Sequence, residues 1–241
     1  MSGVIYTCVT GRYDRVLMDA AAHTQRFVCF TDTPRALTAP GWELRPLASP
    51  HSVQGGRAVN RWHKLFPHRL FPETRHSIYV DGNVRLSGDP VILVEALARA
   101  GAAMGAFSHP SGHTLAREVA ECRRHRFTRA DLAAVDRQIA TYRRAGIDFD
   151  AQIPTNNVLV RDHAAPGLAE AMDLWWQQLQ RFTGRDQVSL PFVLQDTGLP
   201  FVLLDRQGGV DPDMVAVAWH RPPLAARLKR RLRAHFGIVL D

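Results

Sequence analysis

Ser77-Ile78-Tyr79-Val80-Asp81-Gly82-Asn83-Val84-Arg85-Leu86 is the stretch whose reading decides the fold. A run of strand composition leads straight into an acid, a glycine and an amide. The apolar and aromatic residues predict a buried strand. Asp and Gly are poor strand residues, so the strand should stop where they begin. In an α/β sheet, ligands bind at the carboxyl ends of the strands. Asp81 and Asn83 are two apart, so in extended chain their oxygens point the same way, and Gly82 carries nothing that would block a ligand. Two oxygens facing open space suit a divalent cation, Mn²⁺ or Mg²⁺, that also holds a diphosphate. The same triplet also reads as a β-turn, because Asp-Gly and Gly-Asn are both turn dipeptides.

Upstream, Val4 to Thr10 reads as a first strand that ends in Gly11-Arg12-Tyr13-Asp14, and Phe27 to Thr31 as a second that ends at Asp32. Both have the form of an α/β sheet's ligand-facing edge. The absence of G-x-G-x-x-G after the first strand argues against a dinucleotide fold. Asp32 also reads as the start of a Thr31-Asp32-Thr33-Pro34 turn. Residues 33 to 56 are rich in proline and glycine and read as loop. Residues 57 to 68 follow as a helix with Arg57, Arg61 and Lys64 on one face. These cations are placed to neutralise phosphates, or form an ordinary solvated face.

Downstream, Asp89-Pro90 opens a helix over Val91 to Ala100 that is apolar on most sides and should be buried. Gly105 to Pro110 reads as a short strand ending at His109, which is either a ligand contact or a surface loop residue. Residues 114 to 145 predict two arginine-rich helices, the second opened by Thr128 with Asp131 three residues on. Asn156 and Asn157 precede another strand, and Pro166 to Phe182 predicts a helix whose leucines and tryptophans are core. Arg185-Asp186-Gln187 opens a further helix that stops at Gly198. That cluster suits an anionic or hydroxyl-rich ligand, or simple capping with an ion pair. Phe201 to Asp205 and Val215 to Trp219 read as the last strands.

With 241 residues, 46% hydrophobic and 22% charged, the chain is long enough to bury a core without staples. Cys8, Cys29 and Cys122 are too few and too scattered for a zinc site or a disulfide framework, and a reducing compartment is expected. No stretch has the length of a membrane span, and the first residues enter a strand without a leader of signal type. The expected location is therefore cytoplasmic. The net charge of +7 is compatible with nucleic acid, anionic lipid or a phosphorylated substrate and does not choose among them.

Six blocks, in order, resemble a glycosyltransferase-like domain family of GT-A type. That family includes plant mucilage-linked hexosyltransferase-like proteins and proteins described as alkaline ceramidases. The blocks are Val4–Asp14, Phe27–Asp32, Lys64–Pro72, Ile78–Asn83, Ala106–Pro110, and Trp175-Trp176 followed by Arg185-Asp186-Gln187. The resemblance implies a single GT-A-like, Rossmann-like α/β domain over residues 1–223, with a mixed, mostly parallel sheet and helices on both faces. It implies metal-assisted transfer of a hexose from a nucleoside diphosphate sugar to a hydroxyl acceptor, with no nucleic-acid partner. On this reading Asp81 and Asn83 hold the cation and the late His220 completes its shell. Thr7, Gly11, Tyr13 and Asp32 line the nucleoside pocket, and Arg57 and Lys64 meet the diphosphate. Asp186 and Gln187 face the sugar as the catalytic pair, while His109, Asn156, Asn157 and Arg185 contact substrate. Asn83 departs from the family's second carboxylate, which brings in the alternative of a sugar-binding module without catalysis. Amide hydrolysis ranks below both, because the eleven histidines show no close metal-binding spacing.

Residues 224–241 form a basic amphipathic tail. Leu224, Leu228, Leu232 and Phe236 make one apolar stripe, and five cations occupy most of the remainder. It reads either as a helix docked on the domain or as a peripheral contact with an anionic membrane.

Overall fold

The computed structural model describes residues 3–11 and 16–218. Tyr13, His220 and the 224–241 tail, and with them three of the sequence expectations, lie outside the described residues.

The chain opens with β1 (Gly3–Val9), β2 (Arg26–Thr31) and β3 (Glu43–Arg45), followed by α1 (Gly56–Leu65) and α2 (Pro67–Leu70). β4 (His76–Val80), β5 (Val84–Leu86), α3 (Val91–Arg99) and β6 (Met104–Ser108) come next. The helices α4 (Leu115–His125) and α5 (Arg129–Arg144) precede β7 (Pro154–Asp162). α6 (Leu168–Arg181), α7 (Asp186–Thr197), β8 (Phe201–Leu203) and β9 (Val215–Val217) complete the described chain.

Seven strands form one sheet in the order β3-β2-β1-β4-β7-β6-β8. β1 runs parallel to both neighbours, with Ile5 opposite Phe27 on one side and Ile78 on the other. β7 is antiparallel to β4 and to β6, whereas β8 is parallel to β6. This is the mixed, mostly parallel α/β sheet that the sequence predicts. The one reversed strand fixes the site, because it delivers residues from its beginning to the edge where the parallel strands end.

Alternation along the strands sorts the core into two layers. Ile5, Phe27, Ile78, Val80, Val158 and Val160 face one side, where α3 covers them with Leu93, Val94 and Leu97. Val4, Tyr6, Phe30, Tyr79 and Leu159 face the other, under Trp62 and Leu65 of α1 and Met172 and Trp175 of α6. A smaller cluster joins α4 and α5 to Val188 of α7.

Several expectations are corrected. The helix read over residues 57 to 68 is two helices, because Pro67 has no N–H and pushes Phe66 out of helical geometry. α3 buries only one face: Ile92, Glu95 and Arg99 are exposed. The loop over 33–56 contains β3, and Val84–Leu86 is a strand that pairs with β9. Thr128 and Asp131 form the capping box expected at the start of α5, and Gly198 ends α7 in the left-handed conformation. Cys8, Cys29 and Cys122 are free and buried. Among the described residues, no helix is long and apolar enough to cross a membrane.

Candidate active site at the strand ends

β4 stops at Val80, as its sequence requires, and Asp81 begins a tight turn in which the Val84 N–H donates to the Asp81 carbonyl at 2.9 Å. Pairing with β7 continues one step further, since the Asp81 N–H donates to the Asn157 carbonyl at 2.8 Å. Asp81-Gly82-Asn83 is thus the β-turn its dipeptides offer, at the end of the strand, rather than the extended chain in which the Asp81 and Asn83 oxygens would point the same way. The Asn83 amide Nδ2 donates to the Ala218 carbonyl at 3.0 Å and the Ala218 N–H returns to the Asn83 carbonyl at 2.9 Å. Asn83 thus clamps the chain leaving β9 against the turn.

Behind Asp81 lies a buried charge cluster. α1 presents Asn60, Arg61 and Lys64 to it, at the three- and four-residue spacing that places them on one face. That face is not solvated: the Lys64 side chain is 1% exposed and its partner Asp186 is 2% exposed. Lys64 Nζ lies 2.9 Å from Asp186 Oδ2 and 3.7 Å from Asp81 Oδ1. Arg61 Nη2 holds the other Asp186 oxygen at 3.1 Å. Burial would raise the Asp186 carboxyl, but Arg61, Lys64 and Arg185 together hold it well below the usual carboxylate range. Burial pulls the Lys64 ammonium down, against the attraction of Asp186 and Asp81. Tyr79, one layer beneath, donates its hydroxyl to Asp81 Oδ1 at 2.9 Å and receives the Asn60 amide at 3.4 Å. Asp81 itself is 30% exposed and faces outward from the cluster.

Other candidates occupy the same edge. Asp32 accepts the Gly11 N–H with both oxygens, at 3.0 and 3.1 Å, and so ties the end of β1 to the end of β2. Gly11 has φ +63° with open space where a side chain would stand. Thr7 is buried, and its hydroxyl has no partner among the described residues. Asn156 is 3% exposed, and among the described residues neither of its amide atoms nor the buried Asn157 Oδ1 finds a hydrogen-bond partner. Both sit at the beginning of β7, and its reversed direction brings them beside the end of β4. His109 follows β6; Ser111 Oγ lies 3.0 Å from its Nδ1, and the His113 ring stands edge-on at 4.4 Å. Burial, and then His113, lower the His109 imidazole.

Three residues are placed differently from the expectation. Arg185 donates to the Glu118 carboxylate at 2.8 Å and to the Gln187 side-chain amide oxygen Oε1, so its guanidinium is already engaged. Arg57 is exposed one turn before Arg61 and lines a groove next to the carboxylate cluster. Asp186 turns both oxygens to cations rather than to open space. Sequence reading placed Arg61 among the phosphate-neutralising cations rather than on Asp186, and missed the parts played by Tyr79, Asn60 and Glu118. Asn60 falls in the same helical repeat as Lys64, which is the signal that could have included it.

Comparison with known proteins adds the family. A model of the TOD1/MUCI70 glycosyltransferase-like domain matches residues 49–200, more than half of the chain, including α1, Asp81, β7 and Asp186. The chain belongs to this family. A probable hexosyltransferase, MUCI70 of Arabidopsis thaliana, is 30% identical over 147 residues, which is 57% of this chain. The chain spans about a quarter of that relative's length. Among solved structures, the apo form of mouse xyloside xylosyltransferase 1 superposes with TM-score 0.47 at 11% identity, covering 84% of each chain. The apo WbbM bifunctional glycosyltransferase superposes with TM-score 0.48 at 10% identity, over 85% of this chain and 39% of that one.

The strand-end donors can be tested for their fit to a divalent cation. Asp81 Oδ2 and Asn83 Oδ1 carry no hydrogen bond from the described residues, because Tyr79 and Lys64 approach Oδ1 of Asp81 and the bond from Asn83 uses its nitrogen. No group of three or more His, Cys, Asp or Glu side chains gathers among the described residues. One carboxylate and one carbonyl oxygen fit a hard cation whose remaining ligands are water and phosphate oxygens.

Proposed function

We propose that this chain is a glycosyltransferase domain that moves a hexosyl group from a nucleoside diphosphate sugar to a hydroxyl acceptor, with retention at the anomeric carbon. The observation that carries the reading is the Asp81–Lys64–Asp186 cluster at the strand ends of a chain in a glycosyltransferase-like family.

The chemical task is to hold a diphosphate leaving group and to tolerate positive charge on the departing sugar. Asp81 and Asn83 would hold a divalent cation, which when bound supplies charge neutralisation at the diphosphate. Lys64 adds a fixed positive charge behind Asp81. It costs no reorganisation because Asp186 and Asp81 already hold it in place. Gly11, Thr7 and Asp32 at the ends of β1 and β2 form the nucleoside side, with Tyr13 in the adjoining segment. At the first turn of α7, Gln187 lies on the sugar side, while Asp186 acts from behind by holding Arg61 and Lys64 in place. Asn156, with two unpaired amide atoms, and Asn157 offer hydrogen bonds to sugar hydroxyls, and His109 lies at the acceptor side. Retention is part of the reading because, among the described residues, Asp32, Asp81 and Asp186 are already engaged by an N–H, a hydroxyl or cations, and none is set up as a dedicated base. His220 is the remaining candidate for the cation's shell, and the cationic tail for a peripheral membrane contact in a cytoplasmic protein.

The test is release of nucleoside diphosphate from a panel of UDP-, GDP- and ADP-hexoses, with Mn²⁺ or Mg²⁺ and with chelator. Cation-dependent release that disappears in Asp81→Ala supports transfer. Donor binding without release under any condition would make the domain a sugar-binding module instead.

A further inference from the structure

We propose that the groove between the start of α1 and the end of α6 is an acceptor subsite for a neutral oligosaccharide. The groove has a volume of about 710 Å³, within the roughly 300–1,000 Å³ usual for small-ligand sites. Leu179, Trp176 and Phe182 give it an apolar wall. The two aromatic rings are fixed by their neighbours, Trp176 edge-on to Phe66 at 6.0 Å and Phe182 edge-on to Tyr142 at 5.9 Å with the Arg181 guanidinium over its ring at 5.1 Å. Gln54, Arg57 and Gln180 line the same groove and are exposed, and none makes a hydrogen bond or ion pair among the described residues.

A sugar ring has one face of C–H groups and a rim of hydroxyls. Aromatic walls match the first, and uncommitted amide and guanidinium groups match the second. No acidic residue lines the groove, so nothing there recruits a cation. Of its two arginines, Arg61 is held by Asp186 and only Arg57 is without a partner among the described residues; so few cations favour a neutral ligand over a polyanion.

The position argues for the acceptor rather than the donor. Arg61 lines the groove and contacts Asp186, and Gly184 on its wall is two residues before that carboxylate. The donor-side residues Gly11, Asp32, Asp81 and Asn83 are absent from its walls. The word acceptor rests on the transfer reading above, whereas saccharide binding in the groove does not.

The experiment uses the full chain and neutral trisaccharides (xylotriose, cellotriose and mannotriose), with saturation-transfer NMR for detection and calorimetric titration for affinity. At least one should bind. Gln180→Trp, at an exposed helical position, puts an indole into the groove and should weaken binding at least tenfold. Gln54→Ala, a milder change, should weaken it severalfold. Neither should alter the shift in melting temperature given by a nucleoside diphosphate sugar. The proposal is overturned if no trisaccharide binds the folded wild type, or if both variants bind as tightly as wild type. Loss of the donor-induced shift in Gln180→Trp would overturn it too, by assigning the groove to the donor. Saccharide binding that Gln180→Trp removes, in a protein that no donor sugar stabilises, supports the groove and refutes the transfer reading.

Discussion

Replacing Lys64 with Met tests whether the buried cluster is held together by its charges. Lys64 and Asp186 are 1% and 2% exposed, so water replaces almost nothing when one partner goes. Breaking a buried pair by removing one charge costs about 3–5 kcal/mol, against about 0–1 kcal/mol for an exposed pair. In a chain of this size that corresponds to a fall in melting temperature of roughly 6–20 °C. Arg61 still contacts Asp186 Oδ1 at 3.1 Å, which places the expectation toward the lower half of that range. Urea unfolding followed by circular dichroism is the assay. Lys64→Met combined with Asp186→Leu should not recover the loss, because Arg61 shares Asp186 with Lys64 and would then lose its own partner. The pH dependence gives a second reading. The Asp186 carboxyl is held below its unfolded value, so its contribution is present above the unfolded pKa of about 3.9 and is lost as pH falls. Wild type should lose stability on acidification below about pH 5, and Asp186→Asn should lose less over the same interval. A Lys64→Met protein within about 1 kcal/mol of wild type, the value for an exposed pair, would refute the reasoning.

Further outcomes follow from single residues at the strand ends. Asp81→Ala should unfold within about 1 kcal/mol of wild type, since its side chain is part-exposed, yet lose the cation-dependent melting shift given by a donor sugar. Asn83→Asp adds a charge for the cation but removes the amide's bond to Ala218, so cation binding should tighten while stability falls by about 1 kcal/mol in urea. Asn156→Leu removes a buried amide with no partner, so stability should rise by about 1 kcal/mol. If Asn156 serves a ligand, the same variant should bind or turn over donor sugar at least tenfold less well. Unchanged activity with raised stability would mark Asn156 as merely unsatisfied.

Much of this architecture was legible because parallel strands end in recognisable ways. Asp32 and Asp81 interrupt apolar runs, and a polar break at the end of a buried strand marks the ligand edge of an α/β sheet. The direction of β7 was not legible. Val158–Arg161 is buried on both faces, so no alternation distinguishes its ends. Only pairing with β4 shows why the asparagines come before this strand rather than after it. Lys64 defeated the reading for a different reason. Spacing places it on one face with Arg57 and Arg61 but does not say what that face meets, and the carboxylate that buries it comes from α7. Three-residue strands such as β3 and β5 lie below the length at which a pattern can be seen.

The distance along the chain between those two partners bears on synthesis. Lys64 meets Asp186 across 122 residues, and β7 must insert between β4 and β6 before the sheet is continuous. A nascent chain that has released β1 through β6 from the ribosome therefore carries the Lys64 ammonium without Asp186, its nearer carboxylate, and leaves the facing edges of β4 and β6 unpaired. Those exposed edges are the features that recruit chaperones or promote aggregation. Arrest of translation between residues 125 and 150 should accordingly give a chain that is protease-sensitive and chaperone-bound. Release past Thr197 should convert it, in one cooperative step, to the protected form.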